Sequence, residues 1–131
     1  MPAKRHQVST GTSWERAVGY SRAVRIGPHV HVSGTTAIDL QGHLVGEGDA
    51  YTQARYILRK IEAALLQAGA CLKDVVRTRI YVTDIDHWQA VGRAHEEVFR
   101  DIRPASTLVA VSRLVWPEML VEIDADAYVV E

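Results

Sequence analysis

One cysteine, Cys71, stands among the 131 residues. An intramolecular disulfide is excluded, as is any zinc or iron–sulfur site built on several thiolates, and a reducing, cytoplasmic setting is expected. Long apolar runs are missing too. Arg, Asp or Glu interrupts every hydrophobic segment before the ~20 residues that a bilayer-spanning helix needs, so no membrane insertion is expected. The basic start Met1-Pro2-Ala3-Lys4-Arg5-His6 leads into Gln7-Val8-Ser9-Thr10-Gly11 and not into the apolar stretch of a secretory signal. An excess of charge of one sign is also absent. Fifteen basic and sixteen acidic residues leave −1, so no global field draws the chain to nucleic acid or an anionic membrane. The sequence contains no glycine-rich phosphate loop ending in Lys-Ser or Lys-Thr, no Gly-x-Ser-x-Gly and no zinc-protease motif, which removes large classes of enzyme.

What is present is the composition of a folded single domain, 47% apolar and 24% charged. The polar stretch 1–13 reads as a flexible N-terminal segment and 14–131 as the domain. Tyr20 to Ile26 and His29 to Ser33, joined at Gly27-Pro28, predict a hairpin. Thr35 to Ile38 extends further and enters a loop at Asp39-Leu40-Gln41-Gly42. Asp49 is placed to cap a helix in which Ala54, Ile57, Leu58, Ile61, Leu65 and Ala68 recur at helical spacing, with Gly69 as its stop. Val75 to Val82 predicts a strand with Val76, Thr78, Ile80 and Val82 on one face. A second helix is expected from near Asp86, with Gln89 as capping-box partner and Trp88, Val91, His95, Val98 and Phe99 as its stripe. Ser106 to Arg113 and Met119 to Val130 close the order β-β-α-β-α-β-β. Two helices can cover only one face of such a sheet, so the fold class is α+β, a mixed sheet with both helices on one side. Its other face must meet water or another subunit.

Several constellations could carry chemistry. Glu122, Asp124 and Asp126 share a strand face, but alternate residues lie roughly 6.6 Å apart, too far for all three to ligate one metal. Ion pairing with Arg77 and Arg79 on a neighbouring strand is the simpler reading. His29 and His31 supply only two ligands of a zinc or copper site, with no third converging, so no metal is expected. His95 on a buried stripe reads as a hydrogen-bonded core histidine. Cys71 has no identifiable base beside it and reads as a bystander thiol. The aromatic residues Trp14, Tyr20, Trp88 and Trp116 are scattered with no basic stripe between them, which makes nucleic acid an unfavoured partner.

The element order and several local runs resemble the RidA/YjgF family of small reactive-intermediate (imine) deaminases. The runs are Val32-Ser33-Gly34, Asp74-Val75-Val76-Arg77-Thr78 into Tyr81-Val82-Thr83-Asp84, Arg103-Pro104-Ala105, and Leu120-Val121-Glu122-Ile123-Asp124-Ala125. The resemblance spans roughly Tyr20 to Tyr128. It implies a chorismate-mutase-like fold, a homotrimer with inward-facing sheets, small-molecule clefts at the subunit boundaries and no cofactor. It also implies hydrolysis of enamines and imines to 2-oxo acids and ammonia. Tyr20, Ser33, Gly34 and Glu122 match the cleft residues of such deaminases, with Glu122 and Ser33 as the catalytic pair and Tyr20 and Gly34 binding substrate. Two positions depart from the pattern. Gly92 stands where an Asn is expected, and Ser106, followed by Thr107, stands where an Arg follows Pro-Ala. Leu108 replaces a frequent cysteine. The missing guanidinium would fork onto a substrate carboxylate, and Arg93 or Arg103 is the candidate substitute. Three readings stay open on these residues: a deaminase acting on compounds other than the usual 2-imino acids, a non-catalytic ligand sensor or chaperone-like module using the same cleft, and RNA cleavage or translation inhibition, which the net charge disfavours.

Overall fold

The structure, a computed structural model, describes residues 4–130. Six strands form one sheet in the order β1-β2-β3-β6-β4-β5, where β1 is Arg5–Val8, β2 Ala23–Ile26, β3 His29–Thr35, β4 Val75–Val82, β5 Ala105–Ala110 and β6 Val121–Tyr128. Every neighbouring pair is antiparallel except β4 and β5, which run parallel with Thr78 beside Ser106. A helix, α3 (Trp88–Phe99), makes the crossover that a parallel pair requires. The long helix α2 (Ala50–Gln67) connects β3 to β4, and a short α1 (Ser13–Val18) precedes β2.

α2 starts where Asp49 accepts from Thr52 N at 3.0 Å and ends before Gly69, whose φ of +78° only glycine adopts readily. Its buried face, with Ile57, Leu58, Ile61 and Leu65, meets Val91, Ala94 and Phe99 of α3 and the inward residues of the sheet. On β6 these are Val121, Ile123, Ala125 and Ala127, the alternation expected of a strand packed on one side only. Both long helices lie on that one face. The opposite face carries His29, His31, Arg79, Tyr81, Glu122, Asp124 and Asp126, all exposed or half-buried.

Four expectations need correction. The seven-element order omits β1 and α1. Residues 5–8 of the supposed loose end pair in register with β2, Val8 beside Ala23, because Val8 finds an apolar place at the core edge. Residues 1–3 of that segment lie outside the described residues. On β4, Val75 is buried and Val76 is exposed, the reverse of strict alternation. The register with β6 shifts between Val75 and Arg77, and such a bulge flips the residues before it. The turn before α3 is capped by Asp84, which accepts from Asp86 N at 2.9 Å, so the capping box from Asp86 to Gln89 does not form. Trp88, placed on the apolar stripe of that helix, is 54% exposed because it is the first residue of α3 and lies beyond the sheet.

Candidate functional site

The register between β3 and β6 also breaks, between Val32 and Thr35, and this break builds the site. Ser33 and Gly34 are the residues it displaces. Gly34 comes so close to β6 that a Cβ there would overlap Glu122 Oε2, so the carboxylate rests where any other residue would put its side chain. Ser33 Oγ donates to Ser21 O at 2.7 Å, which ties the end of β3 to the start of β2 and leaves the hydroxyl oxygen as an acceptor. Tyr20 lies half-buried just before β2, its ring 5.8 Å from the guanidinium carbon of Arg22. A shallow open depression of ≈ 500 Å³ next to them is lined by Tyr20, Ser33, Gln7 and Val24 among others. Tyr20, Ser33, Gly34 and Glu122 are therefore brought together by one chain.

Arg22 completes this group. Its Nη2 donates to Gly34 O, and the residue is only 8% exposed. Burial raises the Glu122 carboxyl above its ordinary value; the Arg22 charge opposes this and the Asp124 charge adds to it. Burial likewise pulls Arg22 below its usual value, while Tyr20, Glu15 and Glu122 favour its charged form. Lys60 of α2 sits close by. Its Nζ donates to Thr36 O and Ile38 O, each at 2.8 Å, and burial, with help from the Arg22 charge and against that of Asp39, brings it to about 8.

Arg22 and Lys60 were missed from sequence. Lys60 carried a faint signal, since it falls at the edge of the apolar stripe and not opposite it. Arg22 carried none, because an arginine in a strand beside a turn is ordinarily solvated. Glu15 was missed as well. It is buried, and although burial works to raise its carboxyl, hydroxyls of Thr10, Ser9 and Thr12 with the Thr10 amide hold it below the usual range. It fixes the N-terminal turn against the site.

The remaining candidates lie elsewhere in the chain. Ser106 Oγ accepts from Thr78 Oγ1 at 2.8 Å, and Thr78 Oγ1 is 2.9 Å from His95 Nε2. Ser106 thus belongs to a polar link beneath α3, and His95 is the hydrogen-bonded inner histidine its position predicts. Thr107 pairs with Arg79, on the face that carries Glu122 but two strands over. Gly92 lies on α3, on the helical side. Arg93 stacks 4.2 Å over the Tyr51 ring on the outside of the helix layer, so within the chain it does not substitute for the missing guanidinium. Arg103 is exposed in a left-handed turn, φ +56°, ahead of Pro104. On the open face Arg79 bridges Asp124 (2.9 Å) and Asp126 (3.0 Å), and His31 approaches Asp126 at 2.8 Å. Of the two arginines expected to pair with the acidic face only Arg79 does so; Arg77, exposed beside the register shift of β4 against β6, forms no ion pair among the described residues. Among the described residues no cluster of three metal-ligating side chains forms, and no helix is long and apolar enough to cross a membrane.

Comparison with known proteins fits this geometry. The family model described as Endoribonuclease L-PSP matches residues 10–129. A crystal structure of a YjgF/YER057c/UK114 family member from Mycobacterium tuberculosis is 55% identical, with a TM-score of 0.88 over 96% of this chain and 100% of that one. The 3-aminoacrylate deaminase RutC of Acinetobacter baylyi is 36% identical over 110 residues, 84% of this chain and 86% of the relative. TdcF of E. coli, solved with bound serine, superposes with a TM-score of 0.76 at 26% identity, over 83% of this chain and 87% of that one. The family model over residues 10–129, together with relatives more than 30% identical over more than four-fifths of the chain, shows that this chain belongs to the RidA/YjgF family.

Proposed function

We propose that the protein binds a small metabolite in a cleft completed by a neighbouring copy within a homotrimer and hydrolyses an enamine or imine there. The observation that carries this reading is the Glu122 carboxylate, half-buried against Gly34 and raised by that burial. A carboxyl raised by burial holds a proton more readily than a solvated one, which suits it to act as acid as well as base. As acid it protonates the carbon of an enamine and yields the iminium ion. As base it takes a proton from water while the oxygen bonds to the iminium carbon. That proton then passes to the nitrogen, and as the C–N bond breaks the hydroxyl proton returns to Glu122, so that ammonia leaves and a carbonyl remains. Ser33 and Tyr20 line the adjoining depression, where the Ser33 oxygen is free to accept and the Tyr20 ring offers a surface for the substrate to pack on.

The substrate class follows from what stands after Pro104-Ala105. Ser106 is neutral and already bonded to Thr78, so a carboxylate gripped from that position loses a charge-assisted bond of about 1.5–3 kcal/mol. That amounts to roughly a hundredfold in affinity, and the usual 2-imino acids held in that way are poor substrates. The relatives solved or described with 3-aminoacrylate and serine are the guide to what else to try. An endoribonuclease role is disfavoured, because Arg79, a cation of the open face, is already neutralised by Asp124 and Asp126.

The test is ammonia release from 3-aminoacrylate and from 2-aminoacrylate, each generated in the assay, above the spontaneous rate. Acceleration of the first that vanishes in Glu122→Gln supports the reading. Equal rates for the wild type and Glu122→Gln would overturn it.

A further inference from the structure

Two side chains of opposite charge meet at one glycine. Arg22 Nη2 donates to Gly34 O, and Glu122 Oε2 rests against the Cα of the same residue. A guanidinium offers five N–H donors, yet Gly34 O is the one hydrogen-bond acceptor it has among the described residues, and Nε is buried with no partner at all. Its nearest acidic neighbours do not release it from that condition. Glu15 spends its oxygens on Ser9, Thr10 and Thr12, and no carboxylate oxygen forms an ion pair with Arg22 within the described residues. A second cation, Lys60, stands close enough to repel it. A buried guanidinium without a counter-ion is costly to maintain, and an anion arriving from outside removes that cost.

We infer that Arg22 is the anion anchor of this cleft, gripping the carboxylate of a short substrate acid beside Gly34 and doing from β2 what Ser106 cannot do from β5. The inference rests on the reading of Glu122 as the acid and base of the site. Arg22 and Glu122 flank one residue, so the anchored carboxylate lies close to the reacting carbon. Lys60 adds a second positive charge to the field that meets the acid, and Glu15, Glu122 and Asp39 offset the two without forming an ion pair with Arg22 among the described residues.

Calorimetric titration with 2-oxobutyrate, a product-like acid, and with its neutral amide tests this without requiring turnover. Wild-type protein is expected to bind the acid at least tenfold more tightly than the amide. Arg22→Gln, whose side-chain amide can still donate to Gly34 O, should bind the two alike. Arg22→Lys keeps the charge but not the fork, so its preference should fall at least threefold. Glu122→Gln should keep the preference while losing turnover. A wild type without preference overturns the inference, as does an Arg22→Gln variant that keeps it. If Arg22→Gln fails to fold, an undiminished preference in Arg22→Lys overturns it equally. Full turnover in Glu122→Gln with the acid preference intact would instead remove the acid–base reading and leave Arg22 as a binding residue.

Discussion

Arg22 and Glu122 share Gly34: one bonds its carbonyl and the other occupies the space of its missing side chain. The break in register that sets Gly34 at this point therefore positions both charges at once. Neither would stand there on a regular strand.

Gly34→Ala should separate catalysis from folding. The added methyl would displace the carboxylate tip of Glu122, the far end of a flexible side chain, and not the backbone. The chain should fold normally by circular dichroism, while kcat falls about a hundredfold for a displacement near 1 Å. Unchanged kcat would mean that the position of the carboxylate is unimportant.

Thr78→Val should destabilise the link beneath α3. Thr78 has one proton for two partners, His95 Nε2 and Ser106 Oγ, and valine bonds neither. Urea unfolding should show a loss of about 1–2 kcal/mol, chiefly from the half-buried His95 nitrogen left unpaired, since the exposed Ser106 hydroxyl can turn to water. The same link gives a pH signature. Burial lowers the His95 value from 6.5, so the unfolded chain takes up a proton before the folded one does. Its contribution is present above pH 6.5 and is lost as the pH falls through the folded value. His95→Gln should flatten the stability profile in that range.

Lys60 predicts a rise in stability on the alkaline side. The folded side chain releases its proton at about 8 and the unfolded one at 10.5, so between these values the unfolded state holds more protons. Unfolding free energy should climb across this window in the wild type relative to Lys60→Met. Parallel profiles for the two proteins would contradict the burial of Lys60.

The open face predicts assembly. β5 is an edge strand with exposed residues along its length, and Val109, on the same face as Glu122, is 43% exposed. An uncovered edge and an apolar residue beside it favour pairing with another chain. Light scattering should give three times the 14.6 kDa mass of the chain, and Val109→Asp should lower it. A wild-type monomer would remove the shared cleft from the proposal.

Much of the fold was legible because burial on one side imprints a period. The stripe of α2, the alternation of β6 and the caps at Asp49 and Gly69 all arise from local geometry repeated along the chain. β1 was not legible: four residues with one apolar anchor at Val8 are too short to show alternation. The Val75–Val76 exchange escaped for a related reason, since a bulge depends on how the partner strand is held and not on the bulged residues alone.

The residues themselves determined the α+β class and the two long helices on one face, because periodic burial is written in consecutive positions, whereas Tyr20, Ser33, Gly34 and Glu122 were singled out by family resemblance. Only the tertiary structure decided that Ser106 turns to Thr78, that Arg93 lies on Tyr51, that Arg22 stands buried beside Gly34 and that Lys60 is half-buried against Thr36 and Ile38. Those outcomes depend on the sheet register and on which strands become neighbours. An arginine or lysine has the same side chain in water as in a core, so its burial is fixed by what packs around it.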